Sequence, residues 1–267
     1  MSRIKNIFQG LKKQGQKAFI PFITAGDSGL DNTFELMQTL VANGADVIEL
    51  GVAFSDPMAD GPVIAKAHER ALAAGVSLHD VLTLVKKFRQ TNDTTAIVLM
   101  GYLNPIEVFG YQAFADAAQA SGVDGVLVVD MPPEEAKDLK VCLDRAEIDF
   151  IFLVAPTTTN ERLATLANIA SGFVYFVSLK GVTGAGHLDI DAVNTNMRRI
   201  RQFINLPIGV GFGIKDAATA KAVSKLADAV IVGSSLVSFV EKYNKNKAKM
   251  LASVGVLANE ISKAIKE

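Results

Sequence analysis

Ala45-Asp46-Val47-Ile48-Glu49-Leu50-Gly51-Val52-Ala53-Phe54-Ser55-Asp56-Pro57-Met58-Ala59-Asp60-Gly61 opens on a short β-favouring run and closes on turn residues. The run is apolar except for Asp46 and Glu49, so 46–51 reads as a buried parallel strand that ends in an acid. Strand side chains alternate faces, which puts Glu49 on the face of Val47, above an apolar layer. Desolvation there favours the protonated carboxyl and suits it to trading a proton near neutral pH. Charged groups are almost never fully buried without a partner or a task, so Glu49 is the first candidate catalytic residue. Asp60, the natural second group, reads two ways. Asp60-Gly61-Pro62 precedes the helical pattern Val63, Ala67, Ala71 and Leu72, so Asp60 is either a second catalytic carboxylate or simply the helix N-cap. Asp56-Pro57 has the chemistry of a turn.

Outward from this stretch, apolar β-favouring runs recur at 19–24, 96–102, 125–130, 149–155, 173–178, 207–211 and 229–233, making eight with 46–51. Amphipathic stretches separate them at 33–43, 78–90, 113–121, 133–145, 160–171, 191–204 and 217–226. Helix alternates with strand almost throughout, which favours an α/β (β/α)8 TIM barrel over an open doubly wound sheet. Barrels of this kind run to roughly 250 residues as one unit. The expectation is therefore one domain over residues 1–267, with function at the C-terminal ends of the strands. The first nineteen residues carry Arg3, Lys5, Lys12, Lys13 and Lys17 without an acid, a composition shared with transit peptides. Ser2 as a cap, with Ile4, Ile7, Phe8 and Leu11 on one face, points instead to an extra N-terminal helix.

Composition narrows the function. The 27 basic and 28 acidic residues nearly cancel, which leaves no field to draw in nucleic acid or an anionic membrane. Hydrophobic residues make up 49% of the chain, yet no apolar run reaches the roughly 18 residues of a membrane span. One cysteine, Cys142, rules out an internal disulfide and fits a reducing, cytoplasmic setting. His68, His79 and His187 lack metal-ligand spacing, so no metal site is expected. A small-molecule enzyme is the default.

Glycine-rich turns follow the last three strands: Gly181-Val182-Thr183-Gly184-Ala185-Gly186, Gly211-Phe212-Gly213 and Gly233-Ser234-Ser235. Each can bring backbone amides close to an anion, and the last opens a helix whose N-terminus favours negative charge. Strands seven and eight are where this fold usually holds phosphate. Gly184, Gly213, Gly233 and Ser234 are the candidate phosphate contacts.

Glu49-Leu50-Gly51-Val52-Ala53-Phe54-Ser55-Asp56-Pro57-Met58-Ala59-Asp60-Gly61, with Pro21-Phe22-Ile23-Thr24-Ala25-Gly26-Asp27, Asn104-Pro105-Ile106, Pro132-Pro133-Glu134-Glu135, Gly181-Val182-Thr183-Gly184 and Gly211-Phe212-Gly213-Ile214, resembles the tryptophan synthase α-subunit family over nearly the whole chain. The resemblance implies a TIM-barrel lyase that cleaves indole-3-glycerol phosphate to indole and glyceraldehyde 3-phosphate. It also implies that indole passes to a β subunit that carries pyridoxal phosphate, in a heterotetramer of two α and two β chains, with no cofactor in this chain. Glu49 and Asp60 match the family's catalytic carboxylates, and Tyr175 matches an active-site tyrosine, with a barrel-filling aromatic as the alternative. Phe22, Leu127 and Phe212 are candidate walls of an apolar indole pocket, or core. Asp56 and Pro57 fall in the loop expected to meet the β subunit. Three positions depart from the family's usual residues: Ser28 and Ala53 replace proline, and Leu179 replaces arginine.

Other readings are a Schiff-base aldolase, an indole-releasing homologue acting alone, and a non-catalytic barrel. The first needs a lysine at a strand end, which this chain lacks. The second shares every catalytic residue, and the pair Glu49 and Asp60 argues against the third.

Overall fold

Eight strands, β1 (Ala18–Thr24), β2 (Val47–Gly51), β3 (Ala96–Gly101), β4 (Gly125–Val128), β5 (Asp149–Val154), β6 (Val174–Val177), β7 (Ile208–Gly211) and β8 (Ala229–Val232), pair in parallel in chain order. Strand β8 returns to β1 through the register Phe19↔Val230 and Ile20↔Ile231, which closes the barrel. The computed structural model describes residues 2–178, 189–211 and 213–267. All eight strands expected from the apolar runs are present, each within two residues of its expected bounds.

The helices in chain order are α1 (Arg3–Lys13), α2 (Leu30–Ala42), α3 (Pro62–Ala73), α4 (Leu78–Arg89), α5 (Leu103–Phe109), α6 (Tyr111–Ser121), α7 (Lys137–Arg145), α8 (Asn160–Ile169), α9 (Ile190–Ile200), α10 (Ala217–Ser224), α11 (Ser234–Tyr243) and α12 (Lys247–Lys266). Strand alternation sorts the core into two layers. Ile48 and Leu50 of β2 face outward and pack with helix residues such as Leu40, Val81 and Val85. Val47 faces inward and joins Ile20, Val98, Leu127, Ile151, Tyr175 and Ile231 inside the barrel.

The N-terminal segment is α1, capped by Ser2 as expected. Ile4 and Phe8 belong to the same cluster as the barrel interior, and the Phe8 and Phe173 rings lie 5.8 Å apart. Each buried side chain of this size contributes roughly 1.5–3 kcal/mol. Helix α1 thus covers the N-terminal end of the barrel and leaves chemistry to the other end. The N-terminal end also carries partnered acids. Asp124 accepts from Arg89 at 2.6 Å, from Arg3 at 2.8 Å and from the Ile97 amide at 2.7 Å. Asp46 accepts from the Phe19 amide at 2.8 Å and from Lys266. These acids serve folding.

The structure departs from the sequence pattern in three places. The stretch expected as one helix over 133–145 begins as a 3-10 turn, Pro133–Glu135, before α7. Helix α5 was not anticipated; Gly110, at φ +87, ends it and separates it from α6. Helix α12 falls beyond the eighth strand, where strand and helix no longer alternate, and it buries Met250, Val254, Ala258 and Ile261.

Candidate active site

Glu49 is the Cα partner of Phe22 on β1 and of Val98 on β3. It points into the barrel, is 1% exposed, and among the described residues its Oε1 has no hydrogen-bond partner. Burial raises its pKa from the ordinary 4.5 to about 8, with Asp60 adding to the shift. Asp46, just before the strand, is satisfied by the Phe19 amide and Lys266, whereas Glu49 on the strand has no such partners among the described residues. An orphaned buried carboxyl costs stability, a sign of a group kept for chemistry.

Asp60 is not a helix cap. The cap of α3 is Gly61, which makes no side-chain capping bond, and Pro62 opens the helix. Gly61 has extended backbone and Pro62 already fixes the first turn, so the Asp60 side chain is released toward the site. Its carboxylate accepts from the Tyr102 hydroxyl at 2.8 Å. Burial raises its pKa, while the Tyr102 hydrogen bond and His68 oppose the rise. Tyr102 in turn accepts the Ala59 amide at 3.1 Å and stacks on Phe54 at 5.1 Å. The loop is therefore pinned at both ends to one phenol.

Tyr175 is 5% exposed within the interior cluster. The carboxylates of Glu49 and Asp60 both raise its pKa after burial, which places the phenol within their electrostatic reach. Its ring fits because β7 offers no side chain beside it: Gly209 is its register partner, and a Cβ on Gly211 would run into the hydroxyl. Gly211, expected as part of an anion cradle, thus makes room for Tyr175.

Phe22, Asp60, His68, Met100, Gly101, Tyr102 and Val129 line a narrow cleft. Leu127 is buried in the interior ring, where it pairs in register with Met100 and Ile151, and it borders a neighbouring apolar void instead. Gly213 adopts φ +76, a left-handed conformation that favours glycine. Gly233 caps α11, whose first residue is Ser234. The Ser235 hydroxyl donates to the Ile214 carbonyl at 3.4 Å, which brings the turns after β7 and β8 together. Gly184, Phe212, Leu179 and Lys180 lie outside the described residues. Asp56 is exposed on the loop after β2, Pro57 is half-buried there, and Met58 beside them is 81% exposed. Ser28 donates to Met250 Sδ of α12 at 3.5 Å.

Sequence reasoning missed Tyr102 as a partner of Asp60, and it considered His68 only as a metal ligand. Among the described residues no group of three His, Cys, Asp or Glu side chains gathers around a metal position. None of the eight strands carries a lysine, so imine chemistry has no amine there.

The family model described as Tryptophan synthase alpha chain matches residues 8–266. The chain belongs to this family. It is 74% identical over 266 residues to the Tryptophan synthase alpha chain of Ruthia magnifica, with all of both chains covered. It is 58% identical over 242 residues to that of Paraburkholderia phytofirmans, covering 91% of this chain and 90% of the relative. Among solved structures it is similar to tryptophan synthase subunit alpha from Legionella pneumophila, with TM-score 0.93, 40% identity, and 99% and 98% coverage. It is also similar to a chain of Mycobacterium tuberculosis tryptophan synthase, with TM-score 0.89, 34% identity, and 100% and 99% coverage.

Proposed function

We propose that Glu49 and Asp60 carry the proton chemistry of this enzyme from opposite sides of one substrate ring. The chain is a carbon–carbon lyase of tryptophan biosynthesis, cleaving indole-3-glycerol phosphate to indole and glyceraldehyde 3-phosphate. The observation that carries the residue assignment is the raised Glu49 carboxyl, orphaned on the floor of the barrel mouth and sensing Asp60.

Cleavage requires the indole ring to accept the electron pair of the breaking bond. Glu49, protonated near neutral pH, donates its proton to ring C3, while positive charge develops at the ring nitrogen. Asp60 accepts from the ring N–H and stabilises that charge. The bond from C3 to the side chain then breaks, its electron pair returns to the ring, and the side-chain hydroxyl gives its proton to Glu49. Aldehyde and indole leave with Glu49 protonated again. Phe22 and Phe212 wall the ring, Tyr175 closes the site beside the two acids, and Gly184, Gly213, Gly233 and Ser234 hold the phosphate through backbone donors.

The partner is a β subunit, which carries the pyridoxal phosphate. This chain needs no cofactor of its own, because both proton transfers are served by its side chains. The assembly is a heterotetramer of two α and two β chains, and the 267 residues act as one domain in the cytoplasm. Among the described residues no helix is long and apolar enough to cross a membrane. Asp56 and Pro57 meet the β subunit, a reading supported by the exposed Met58 beside them and by the loop's attachment to Asp60 through Tyr102. Partner binding at this loop moves the same segment that positions a catalytic acid.

Indole release from indole-3-glycerol phosphate, followed with and without saturating β subunit, tests substrate, reaction and partner together. The isolated chain is slow and accelerates with β; Asp56→Ala loses most of that acceleration. Equal rates with and without β remove the coupling and leave an enzyme that acts alone.

A further inference from the structure

The site holds one more titratable side chain, for which the reaction above has no task. His68 lies on α3, 2% exposed, and its Nδ1 accepts the Phe54 backbone amide at 3.0 Å. A ring nitrogen that accepts a hydrogen bond carries no proton, so the imidazole is neutral with its hydrogen on Nε2. Burial acts in the same direction and lowers its pKa, against the pull of Asp60. Nε2 lies 3.8 Å from Asp60 Oδ2, and the ring meets Tyr102 edge-on at 6.4 Å.

Phe54 and Asp60 are the two ends of one loop, so a single imidazole holds the loop's start with one nitrogen and faces its end with the other. Tyr102 donates to the same oxygen, Oδ2. A second donor on that oxygen, beside Tyr102, orients the carboxylate and leaves Oδ1 free. The charged groups around the ring are Asp60 from the loop after β2 and Asp27 from the turn after β1. Asp27 is itself held by Arg70 of α3. Tyr102, after β3, stays a neutral phenol because burial and Asp60 raise its pKa.

We propose that His68 is a positioning residue for Asp60: it anchors the loop through the Phe54 amide and turns its Nε2–H to the Asp60 carboxylate, which leaves Oδ1 for the substrate ring N–H. The proposal rests on Asp60 being the acceptor of that N–H. A shift of less than an ångström converts the 3.8 Å approach into a hydrogen bond, and closure of the loop on substrate supplies it. The donor lowers the Asp60 pKa and keeps the carboxylate ionised while positive charge grows on the ring.

Two substitutions separate the functions of the ring. His68→Asn places an amide oxygen where Nδ1 stood and keeps the Phe54 amide paired, but it does not reach Asp60. His68→Gln places an N–H where Nε2 stood. In His68→Asn, kcat falls about tenfold with KM within about twofold, and the acid limb of the kcat/KM–pH profile moves up by about half a unit or more, because Asp60 has lost a donor. His68→Gln returns the limb toward its original position. A purely structural histidine lowers the melting temperature in both variants and leaves the limb in place, which overturns the proposal.

The unmutated chain gives a second reading that no folding defect can obscure. The 15N NMR signal of His68 shows the neutral Nε2–H tautomer at neutral pH; an Nδ1–H tautomer or a cationic ring contradicts it. If Asp60→Asn turns over normally, the reading of Asp60 fails first. If Asp60→Asn is inactive while His68→Asn has wild-type kcat and an unshifted acid limb, the role of His68 alone is wrong.

Discussion

The Tyr102 hydroxyl donates to Asp60 Oδ2 at 2.8 Å while it accepts the amide of Ala59, the residue just before Asp60. One phenol thus sets both the carboxylate and the backbone that carries it. Tyr102→Phe keeps the ring that stacks on Phe54 but removes the donor and leaves the Ala59 amide unpaired. The expected result is a drop in kcat/KM of about tenfold and an acid limb displaced to higher pH, since a carboxylate without its donor is harder to ionise. An unmoved acid limb would mean that Tyr102 supports the loop and does nothing for Asp60.

Glu49 carries a stability cost whose pH dependence has a definite sign. Its native pKa is raised to about 8, whereas the unfolded chain titrates it near 4.5. Between these values the native state binds one more proton than the unfolded state, so stability falls as pH rises through the window. Glu49→Gln has no proton to hold or lose. Its thermal stability should exceed that of the wild type by a margin that grows by about 1 kcal/mol per pH unit between pH about 5 and about 7.5. Melting curves of the two proteins across that range check it; a constant margin would show that Glu49 ionises as an ordinary carboxylate.

The same residue shows why part of the site was legible in the sequence. A charge in an apolar strand is an anomaly of pattern, and the alternation that put Glu49 on the face of Val47 is the alternation the barrel uses. The eight strands were legible for the same reason, each being a run of β-favouring apolar residues between turns. Asp60 was ambiguous because the residues of a helix cap and of a catalytic loop coincide there, and only the position of Gly61 as the cap separates them. Tyr102 and His68 carried no local signal. Each looks like an ordinary buried ring until the barrel brings β3 and α3 to the loop after β2. Gly211 was read as part of an anion-binding turn; its missing side chain also makes room for Tyr175 across the sheet, and no single-strand pattern reveals a clash between neighbours.

The phosphate assignment is best tested at Gly233. A Cβ there would meet only ordinary contacts, with Phe22 at 3.4 Å and Ile64 at 3.6 Å, whereas Gly213 at φ +76 strains with any side chain. Gly233→Ala should therefore fold normally and raise KM for indole-3-glycerol phosphate several-fold, with inhibition by inorganic phosphate weakened in parallel. A KM and a phosphate inhibition constant both equal to those of the wild type would move the anion site elsewhere.

The two carboxylates are the centre of the account, and indole release by Glu49→Gln measures them most directly. Turnover of indole-3-glycerol phosphate should fall at least about 100-fold, since an amide has no proton to give to ring C3, while calorimetric titration shows substrate binding close to that of the wild type. Asp60→Asn should fail in the same assay while the barrel stays folded, because its side chain caps no helix. If Glu49→Gln keeps more than about a tenth of wild-type turnover, Glu49 is not the proton donor and the mechanism proposed for this barrel is wrong.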